Sequence, residues 1–292
     1  MNSWQLAEAY KERKARRKRI DWGTVATHAF LITYVILILV PFLWLFVSSL
    51  KDMGQYYTTD LKSTWFPWPL HFENYPKAMQ MVPLYLYLFN SIWLATVQTL
   101  LSVFSSALVA YGLSRFDFKG QGFILTVLIA SMLLPTQVTQ IPLFIFYSKI
   151  GFVNSFKPLL IPCLFGGAWN IFLIRQMMVT LPKELDEAAM ADGATTFDVF
   201  WRVILPQAKP ALVVTGLFTF LGSWKDAWGP LIYLNSENLY TLPIGLLYFQ
   251  SPTQAEITVQ LAAIVIALIP TVIFYFLGQG YLERGVAIAE LK

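Results

Sequence analysis

The stretch from His28 to Leu50 contains no aspartate, glutamate, lysine or arginine, and it is long enough to cross a bilayer. The whole chain shares this character, with 57% hydrophobic and 13% charged residues, whereas soluble domains carry about 25% charged residues. Because lipid offers no hydrogen-bond partner to the backbone, such segments must be helical. Five further apolar runs predict spans at Tyr85–Ser114, Gln121–Ser148, Pro158–Thr180, Ala211–Leu234 and Ile257–Leu282. The sequence therefore predicts an all-α integral membrane protein with six transmembrane helices.

The distribution of lysine and arginine predicts how these spans are oriented. Residues 1–22 form a basic tail, residues 23–282 the six-helix domain, and residues 283–292 a short second tail. If the N-terminus is cytoplasmic, the inside segments hold fifteen lysines and arginines and the outside loops hold five. Because positive residues concentrate on the cytoplasmic side, both termini are predicted to be cytoplasmic. The basic tail is therefore interpreted as an orientation signal, and a nucleic-acid partner is not expected.

Residue types exclude several classes of site. Cys163 is the only cysteine, and His28 and His71 lie far apart, so no internal disulfide and no cysteine or histidine metal cluster is expected. The sequence has no G-x-x-x-x-G-K-S/T phosphate loop, so ATP binding of that kind is not expected either. We therefore expect no catalytic residue, no metal and no cofactor bound by this chain.

Residues 181–210 form the longest polar break between two apolar runs after the N-terminal tail, and they carry helix signals. Thr180 is a candidate cap for a first short helix, with Pro182 in its opening turn and three acids close behind. Gly193 is placed to end this helix with a positive φ. The first part of the break is thus predicted to be a short helix closed by a glycine turn.

A second short helix is predicted to follow. Thr195 or Thr196 can cap it, and Pro206 and Pro210 are expected to interrupt or redirect it. Its aromatic residues supply an apolar face for contact with a partner, and the charges of the loop would fix the register of that contact. The aromatic residues are Phe197, Phe200 and Trp201.

Three short motifs in this break, Glu187-Ala188-Ala189, Asp192-Gly193 and Ile204-Leu205-Pro206, stand at a characteristic spacing. Together they resemble the EAA loop of the permease subunits of binding-protein-dependent ABC importers. In that family the loop carries the coupling helix that docks on a cytoplasmic ATPase subunit, and the charge count independently predicts a cytoplasmic position here. The resemblance implies an ATPase-coupling role for Glu184, Glu187, Ala188, Ala189, Asp192, Gly193, Ile204, Leu205 and Pro206.

The resemblance extends over roughly residues 25–282 and implies the type I ABC importer permease fold. The form LPKELDEAAMADGA is similar to the carbohydrate subgroup, and the chain length is similar to its smaller, maltose-type permease. This implies a multi-pass subunit of the bacterial inner membrane. The implied partners are a second, different permease, two ATPase subunits that hold ATP and Mg²⁺, an external solute-binding protein, membrane lipid and a sugar substrate.

Polar residues within the predicted spans are candidates for the transport path, because such residues are costly in lipid and usually face a cavity or another helix. For the asparagines and glutamines, hydrogen bonding between helices is an equally open interpretation. Pro135 and Pro142 are expected to break the third span, and irregular backbone at depth is tolerated where it lines a cavity. The candidates are Asn90, Gln98, Gln137, Gln140, Asn170, Trp224, Lys225, Asp226 and Trp228.

Lys225 and Asp226 are adjacent charges within the predicted fifth span. Neighbouring helical positions diverge, so these two are not expected to face each other unless the helix is broken there. Trp224 and Trp228 are four residues apart and are expected on one face, where their rings could stack against a sugar. An interfacial aromatic belt, and a lysine extending to the outer surface, remain open alternatives.

The identity of the solute depends largely on Lys225. Members of the resembled family commonly have asparagine at this position, so the lysine suggests an anionic solute such as an alginate-type, uronate-containing oligosaccharide. Two alternatives stay open. The first is the same machinery for a non-sugar solute, such as glycerol phosphate or an amino acid. The second is an integral membrane enzyme, which would need acids, histidines or metal ligands clustered at one depth.

Overall fold

The computed structural model describes residues 22–249 and 256–290, so the predicted basic tail lies outside the described residues apart from Trp22. Every regular element in the described part of the chain is helical, which confirms the all-α prediction. Two 3₁₀ segments, Ile161–Phe165 and Glu237–Leu239, and one π-helical segment, Val199–Ile204, accompany the α-helices. In chain order the α-helices are α1 (Trp22–Ser49), α2 (Met53–Tyr56), α3 (Leu61–Trp65), α4 (Asn74–Met81), α5 (Leu84–Arg115), α6 (Gln121–Ser131), α7 (Thr136–Lys149), α8 (Lys157–Leu160), α9 (Ala168–Thr180), α10 (Glu184–Ala191), α11 (Thr196–Asp198), α12 (Leu205–Gln207), α13 (Lys209–Trp224), α14 (Trp228–Tyr233), α15 (Leu242–Tyr248) and α16 (Ile257–Glu290).

The chain divides into two compact units, and the first comprises residues 1–71. Its main element, α1, is apolar throughout, and nearly all of its side chains are exposed, as expected of a helix whose solvent is lipid. Helix α2 begins at a capping box, in which Asp52 and Gln55 each accept a hydrogen bond from the other's backbone N–H. The side chain of Gln55 also donates to the carbonyl of Pro69 at 3.1 Å, which closes the following loop within this unit.

In the second unit, residues 72–292, α5 is the element against which the others pack. Helices α9 and α13 contact it most extensively. Small residues on α5 are buried in these contacts: Ser102, Ser106, Ala107 and Ala110. Small side chains let helix backbones approach closely, which is the usual basis of helix association in a membrane, where no hydrophobic driving force acts between helices.

The number of continuous spans is smaller than predicted. Within residues 22–249 and 256–290, four helical stretches are long and apolar enough to cross a bilayer, or five when the pair 196–207 and 209–224, bent by 76°, counts as one. The predicted third span is divided between α6 and α7, with Pro135 directly before α7, so the break predicted at Pro135 is confirmed. The break predicted at Pro142 is wrong, because α7 runs continuously through it. Membrane helices tolerate an internal proline when neighbouring groups satisfy the freed carbonyl.

The predicted fifth span is also interrupted. Helix α13 ends at Trp224, α14 begins at Trp228, and residues 225–227 form the break. Oδ1 of Asp226 accepts hydrogen bonds from the backbone N–H groups of Trp228 (3.0 Å) and Gly229 (3.1 Å). The carboxylate therefore satisfies donors that a helix start leaves without partners. The sixth span begins at Ile257 as predicted, but α16 continues beyond the predicted end to Glu290.

Gly166 lies at a close approach between the α8–α9 segment and α5. Its φ of +78° and ψ of 155° define a conformation that is essentially restricted to glycine. A Cβ atom added at Gly166 would lie 3.0 Å from Oγ and 3.2 Å from Cα of Ser106. Glycine is therefore required here both for backbone conformation and for packing.

We expect Gly166→Ala to lower the free energy of unfolding by about 1–3 kcal/mol, the usual cost of holding a non-glycine residue in such a conformation. The measurement is the thermal unfolding midpoint of the purified protein in detergent. Gly112→Ala on α5 is the matched control, because an added Cβ there meets no atom within 4 Å and alanine favours a helix. An equal effect of the two substitutions would contradict the prediction.

Candidate functional site

Residues 181–210 fold into two short helical segments joined by a glycine turn, as predicted. The first segment is α10, and the second runs through residues 196–207. Gly193, between them, has a φ of +87°, in the left-handed region that glycine adopts without strain. Its N–H donates to the carbonyl of Met190 at 3.0 Å, which satisfies one of the carbonyls left free at the end of α10.

The predicted start of the first helix is wrong. Thr180 is the last residue of α9, and its hydroxyl donates to the carbonyl of Met177 at 2.7 Å. Pro182 precedes α10, which begins at Glu184 without a side-chain cap. Three acidic residues occupy the first turn of α10, where negative charge opposes the positive end of the helix dipole. Charge placement, rather than a threonine cap, therefore favours this start.

Thr195, and not Thr196, caps the second segment through a capping box with Asp198. Oγ1 of Thr195 accepts from the N–H of Asp198, and the Asp198 carboxylate accepts from the N–H of Thr195, both at 3.2 Å. The hydroxyl and the N–H of Thr195 hold the pKa of Asp198 below its ordinary value, because both stabilise the ionised carboxylate. The helix then widens into its π-helical segment, a feature frequent at functional sites.

The candidate coupling residues divide into an exposed and a buried set. Ile204 is buried, and Ala189 and Leu205 are half-buried. The exposed aromatic rings of Phe197 and Trp201 stack with their centroids 6.4 Å apart. The surface combines these rings with carboxylates, which suits docking on a protein surface that offers cations and an apolar groove. The exposed candidates are Glu184, Glu187, Ala188, Asp192, Gly193 and Pro206.

A buried core lies behind this surface and joins the loop to α5 and α9. Its members include Ala110, Tyr111 and Leu113 from α5, Ile174 and Met178 from α9, and Val199, Phe200 and Ile204 from the loop. The rings of Tyr111 and Phe200 lie 5.1 Å apart, and the Tyr111 hydroxyl donates to the carbonyl of Thr196 at 3.4 Å. The second segment of the loop is thus anchored on the C-terminal end of α5, which is distant in sequence.

An ion pair that the sequence analysis did not predict anchors the first segment. Nε of Arg115 lies 3.0 Å from Oδ2 of Asp186, and their side chains are only 4% and 12% exposed. Burial raises the pKa of Asp186 above its ordinary value, although the charges of Arg115 and Lys183 act in the opposite direction. The available signal was an arginine at the end of one apolar run and three acids in a polar break two predicted spans later, but spacing alone could not select Asp186 among them.

Two of the transport-path candidates donate hydrogen bonds to other segments of the chain. Asn90 is buried, and its amide donates to two carbonyls in the loop at 238–240, each at 3.0 Å. Asn170 is also buried, and its amide donates to the hydroxyls of Ser102 (3.0 Å) on α5 and Thr219 (2.9 Å) on α13. For Asn170 the structure favours the interhelical interpretation, whereas Asn90 joins α5 to the loop at 238–240.

The other candidates converge on the break between α13 and α14. A cavity of about 650 Å³ there is bordered by Gln98, Cys163, Thr219, Gly222, Ser223, Lys225, Asp226, Ala227 and Trp228. The Lys225 side chain is exposed and has no ion-pair partner among the residues that the structure describes. The Asp226 carboxylate accepts hydrogen bonds from the backbone of α14 and forms no ion pair with Lys225. The described residues contain no cluster of histidine, cysteine or acids that could hold a metal.

The expectation that Trp224 and Trp228 share one helical face is wrong, because the helix is broken between them. Trp224 is 6% exposed and stacks on Phe220, whereas Trp228 is 57% exposed. The indole N–H of Trp228 donates to the side-chain carbonyl of Gln140, which fixes the ring. Gln137 and Gln140 lie together along a neighbouring cavity of about 530 Å³, which Trp228 also borders.

The sequence matches a family of known transport proteins. Residues 102–288 match the model of the binding-protein-dependent transport system inner membrane component. A probable ABC transporter permease protein of Bacillus subtilis, YurM, is 35% identical over 96% of this chain and 92% of its own length. The arabinooligosaccharides transport system permease protein AraQ of the same organism is 30% identical over 92% and 95% of the two chains. The trehalose/maltose transport system permease protein MalG of Thermococcus litoralis is 33% identical over 89% and 94%.

A solved structure shows the same fold. A chain of a bacterial ABC transporter involved in the import of the acidic polysaccharide alginate superposes with a TM-score of 0.77, at 22% identity, over 88% of this chain and 95% of that one. A chain of an alginate ABC transporter in complex with a periplasmic protein bound to an alginate pentasaccharide superposes with a TM-score of 0.62, at 16% identity, over 93% and 96%. At these identities the likeness concerns the fold alone, which is that of an ABC importer permease.

We expect Thr195→Ala to destabilise the second segment of the loop by about 1 kcal/mol, because the substitution removes the capping hydroxyl. Hydrogen exchange of the amides at residues 196–198, followed by mass spectrometry, should become faster. Thr180→Ala is the matched control, since that hydroxyl donates to a carbonyl within its own helix and caps nothing. If both substitutions change exchange at 196–198 to the same extent, the assignment of the cap is incorrect.

Proposed function

This chain belongs to the family of binding-protein-dependent transport system inner membrane components, and on that premise we propose that it is a permease subunit of an ATP-driven sugar importer. It forms part of the translocation path across the inner membrane of a bacterium, with six membrane crossings and both termini in the cytoplasm. Three crossings are not single long helices. They are the divided third span, α6 and α7, the fourth span, in which α8, a 3₁₀ segment and α9 follow one another, and the interrupted fifth span, α13 and α14.

The observation that carries the proposal is the helix pair at residues 181–210. An exposed surface with three carboxylates and two stacked aromatic rings stands on a core shared with α5 and α9. A docking surface needs this combination, because exposed groups make the contact while a rigid base transmits the displacement. The coupling residues are those named from the sequence, with Glu187 and Ala188 at the exposed centre of α10.

The partners follow from what an importer needs. Two cytoplasmic ATPase subunits bind ATP and Mg²⁺ and dock on the loop at 181–210 and on its counterpart in a second, different permease. An external binding protein delivers the solute. Nucleotide-driven closure of the ATPases displaces α10 and alternates the path between inward-facing and outward-facing states as a domain rotation.

The proposed solute is a sugar, most simply an oligosaccharide, because the named relatives transport arabinooligosaccharides or trehalose and maltose. The cavity at the helix break offers a hydroxyl, an amide and a fixed indole ring, which are groups that hydrogen bond to and stack on sugars. The unpaired Lys225 favours a solute with a negative charge, such as a uronate-containing oligosaccharide. The same cation would also suit glycerol phosphate, which is the second candidate.

The docking proposal predicts that a cysteine at Ala188 is accessible only from the cytoplasmic side and only without the ATPase. In a Cys163→Ser background, a membrane-impermeant maleimide should label Ala188→Cys in inside-out but not in right-side-out vesicles. A tag on this chain should co-purify an ATPase whose presence protects the cysteine. Lys119→Cys, exposed in the loop after α5, is the control. It should be labelled in inside-out vesicles both with and without the ATPase. Labelling of Ala188→Cys from outside, or an assembly without ATPase, would refute the proposal.

The charge role of Lys225 is tested by solute-stimulated ATPase activity of the assembly in liposomes with its binding protein. We expect Lys225→Ala to lower the response to acidic oligosaccharides roughly tenfold, equivalent to ~1.4 kcal/mol, and to leave the response to neutral ones nearly unchanged. Ser223→Ala, in the same cavity but uncharged, should not discriminate between the two classes. Equal losses with acidic and neutral saccharides after Lys225→Ala would remove the anionic solute from the proposal.

A further inference from the structure

One side chain connects three elements at the base of the helix pair. Arg115 is the last residue of α5. Its Nε faces the carboxylate of Asp186 in α10 at 3.0 Å, and its Nη1 donates to the carbonyl of Leu181, directly after α9, at 3.0 Å. The guanidinium is planar and rigid, so its hydrogen bond to Leu181 and its charge contact with Asp186 together restrict the relative placement of the three elements.

The surrounding hydrogen bonds hold the end of α5 itself in place. The carbonyl of Leu113, near the C-terminus of α5, accepts from Nε of Arg175 on α9 at 2.9 Å and from the side-chain amide of Gln121 on α6 at 2.8 Å. These donors satisfy a carbonyl that has no partner within its helix. The guanidinium of Arg115 therefore projects from a helix end that is already tied to α6 and α9.

Several polar atoms of the Arg115–Asp186 ion pair are buried without a hydrogen bond. Nε and Nη2 of Arg115 and Oδ1 of Asp186 are buried and have no hydrogen-bond partner among the residues that the structure describes, so the pair is a contact of charges without hydrogen-bond geometry. A buried ion pair adds little net stability, but separating its members leaves two buried charges without compensation. Such a pair resists relative displacement of α5 and α10 more strongly than it stabilises the fold.

Helix α5 leads from this pair to the cavity at the break of the fifth span. Gln98, which borders that cavity, lies 17 residues before Arg115 on the same helix, about 26 Å away along its axis at 1.5 Å per residue. Between them, Ser102 of α5 accepts from the amide of Asn170, which also donates to Thr219 at the cavity. A displacement applied at Asp186 can therefore reach the cavity through packed and hydrogen-bonded helices.

We propose that Arg115 is a positioning residue that locks the coupling helix α10 to α5, so that α5 moves with α10 although the loop is covalently continuous only with α9 and α13. This role rests on the proposed function. Through Arg115 the displacement of the docking surface is delivered to the central helix of the second unit, and thus to the cavity. Without the pair, α10 would move against α5, and ATP-driven closure would be transmitted less completely.

A second ion pair between the same two chain segments provides a control. Nζ of Lys183, just before α10, lies 3.5 Å from Oδ2 of Asp117, just after α5. These side chains are 62% and 89% exposed, so water and salt screen the pair and its contribution is small. If any salt bridge between the segments sufficed, removal of Lys183 would have the effect of removing Arg115.

The test measures the distance between α10 and α5 directly in the intact assembly. In the Cys163→Ser background, spin labels are placed at the exposed positions Ala191 of α10 and Leu108 of α5 through cysteine substitutions. The assembly, purified by a tag on this chain and placed in lipid nanodiscs, is measured without nucleotide and after trapping with ATP, Mg²⁺ and vanadate. With Arg115 and Asp186 intact, we expect one narrow distance that is the same in both states.

The Arg115→Ala/Asp186→Ala double variant removes both charges, so that no unpaired buried charge is left to unfold the protein. We expect its distance distribution to broaden and to shift to longer values on trapping, while its thermal unfolding midpoint stays near that of the parent. Arg115→Lys, which keeps the charge opposite Asp186 but lacks the planar guanidinium, should retain part of the narrow distribution. Lys183→Ala should match the parent in both states.

Two results would overturn the role. A double variant that keeps the parent's narrow distance in both states would show that packing alone locks the two helices. Broadening by Lys183→Ala to the same extent would show that the buried pair has no special part. Failure of the proposed function would be visible earlier and separately, because the parent assembly would then contain no ATPase, and the role of Arg115 would fall with it.

Discussion

A membrane gives the backbone no hydrogen-bond partners, and the rest of this structure depends on how each interruption of a helix is satisfied. At the break in the fifth span, the Asp226 carboxylate accepts hydrogen bonds from two backbone N–H groups of α14 that would otherwise lack a partner. The C-terminus of α5 is covered by Arg175 and Gln121, which donate to the Leu113 carbonyl. At both places a polar side chain replaces the lost backbone bond, and the cavity that we assign to the solute lies at the first of them.

The second organising feature is the use of small and polar residues along α5. Serines and alanines on this helix let α9 and α13 approach closely, and Asn170 bonds to Ser102 and Thr219 across the contact. In lipid these packing and hydrogen-bond terms replace the hydrophobic effect as the reason for association. At its C-terminal end the same helix meets the core beneath the proposed coupling loop, through Tyr111 and Phe200. A single helix thus contacts both of the sites to which we assign function.

Local signals predicted well where the physical cause is local. The positive φ of Gly193, the cap at Thr195 and the break at Pro135 follow from the conformations and hydrogen bonds available to single residues. Thr180 and Pro142 show the limit of such signals. The Thr180 hydroxyl donates back to its own helix, and Pro142 lies inside a continuous helix, because residues distant in sequence decide which local preference is realised. The shared face expected of Trp224 and Trp228 failed for the same reason.

The sequence by itself determined the membrane-spanning helical class, the glycine turn of the coupling loop and the family, since these depend on composition, on residue type and on spacing along the chain. Only the tertiary structure decided which polar residues make hydrogen bonds to distant segments of the chain, as with Asn90 and Asn170, and which border the cavity, as with Lys225. It alone paired Arg115 with Asp186. A charge in a sequence has many potential partners, and the packing of the helices selects among them. Only packing decides which charges are buried, and a buried charge without a partner is strongly destabilising.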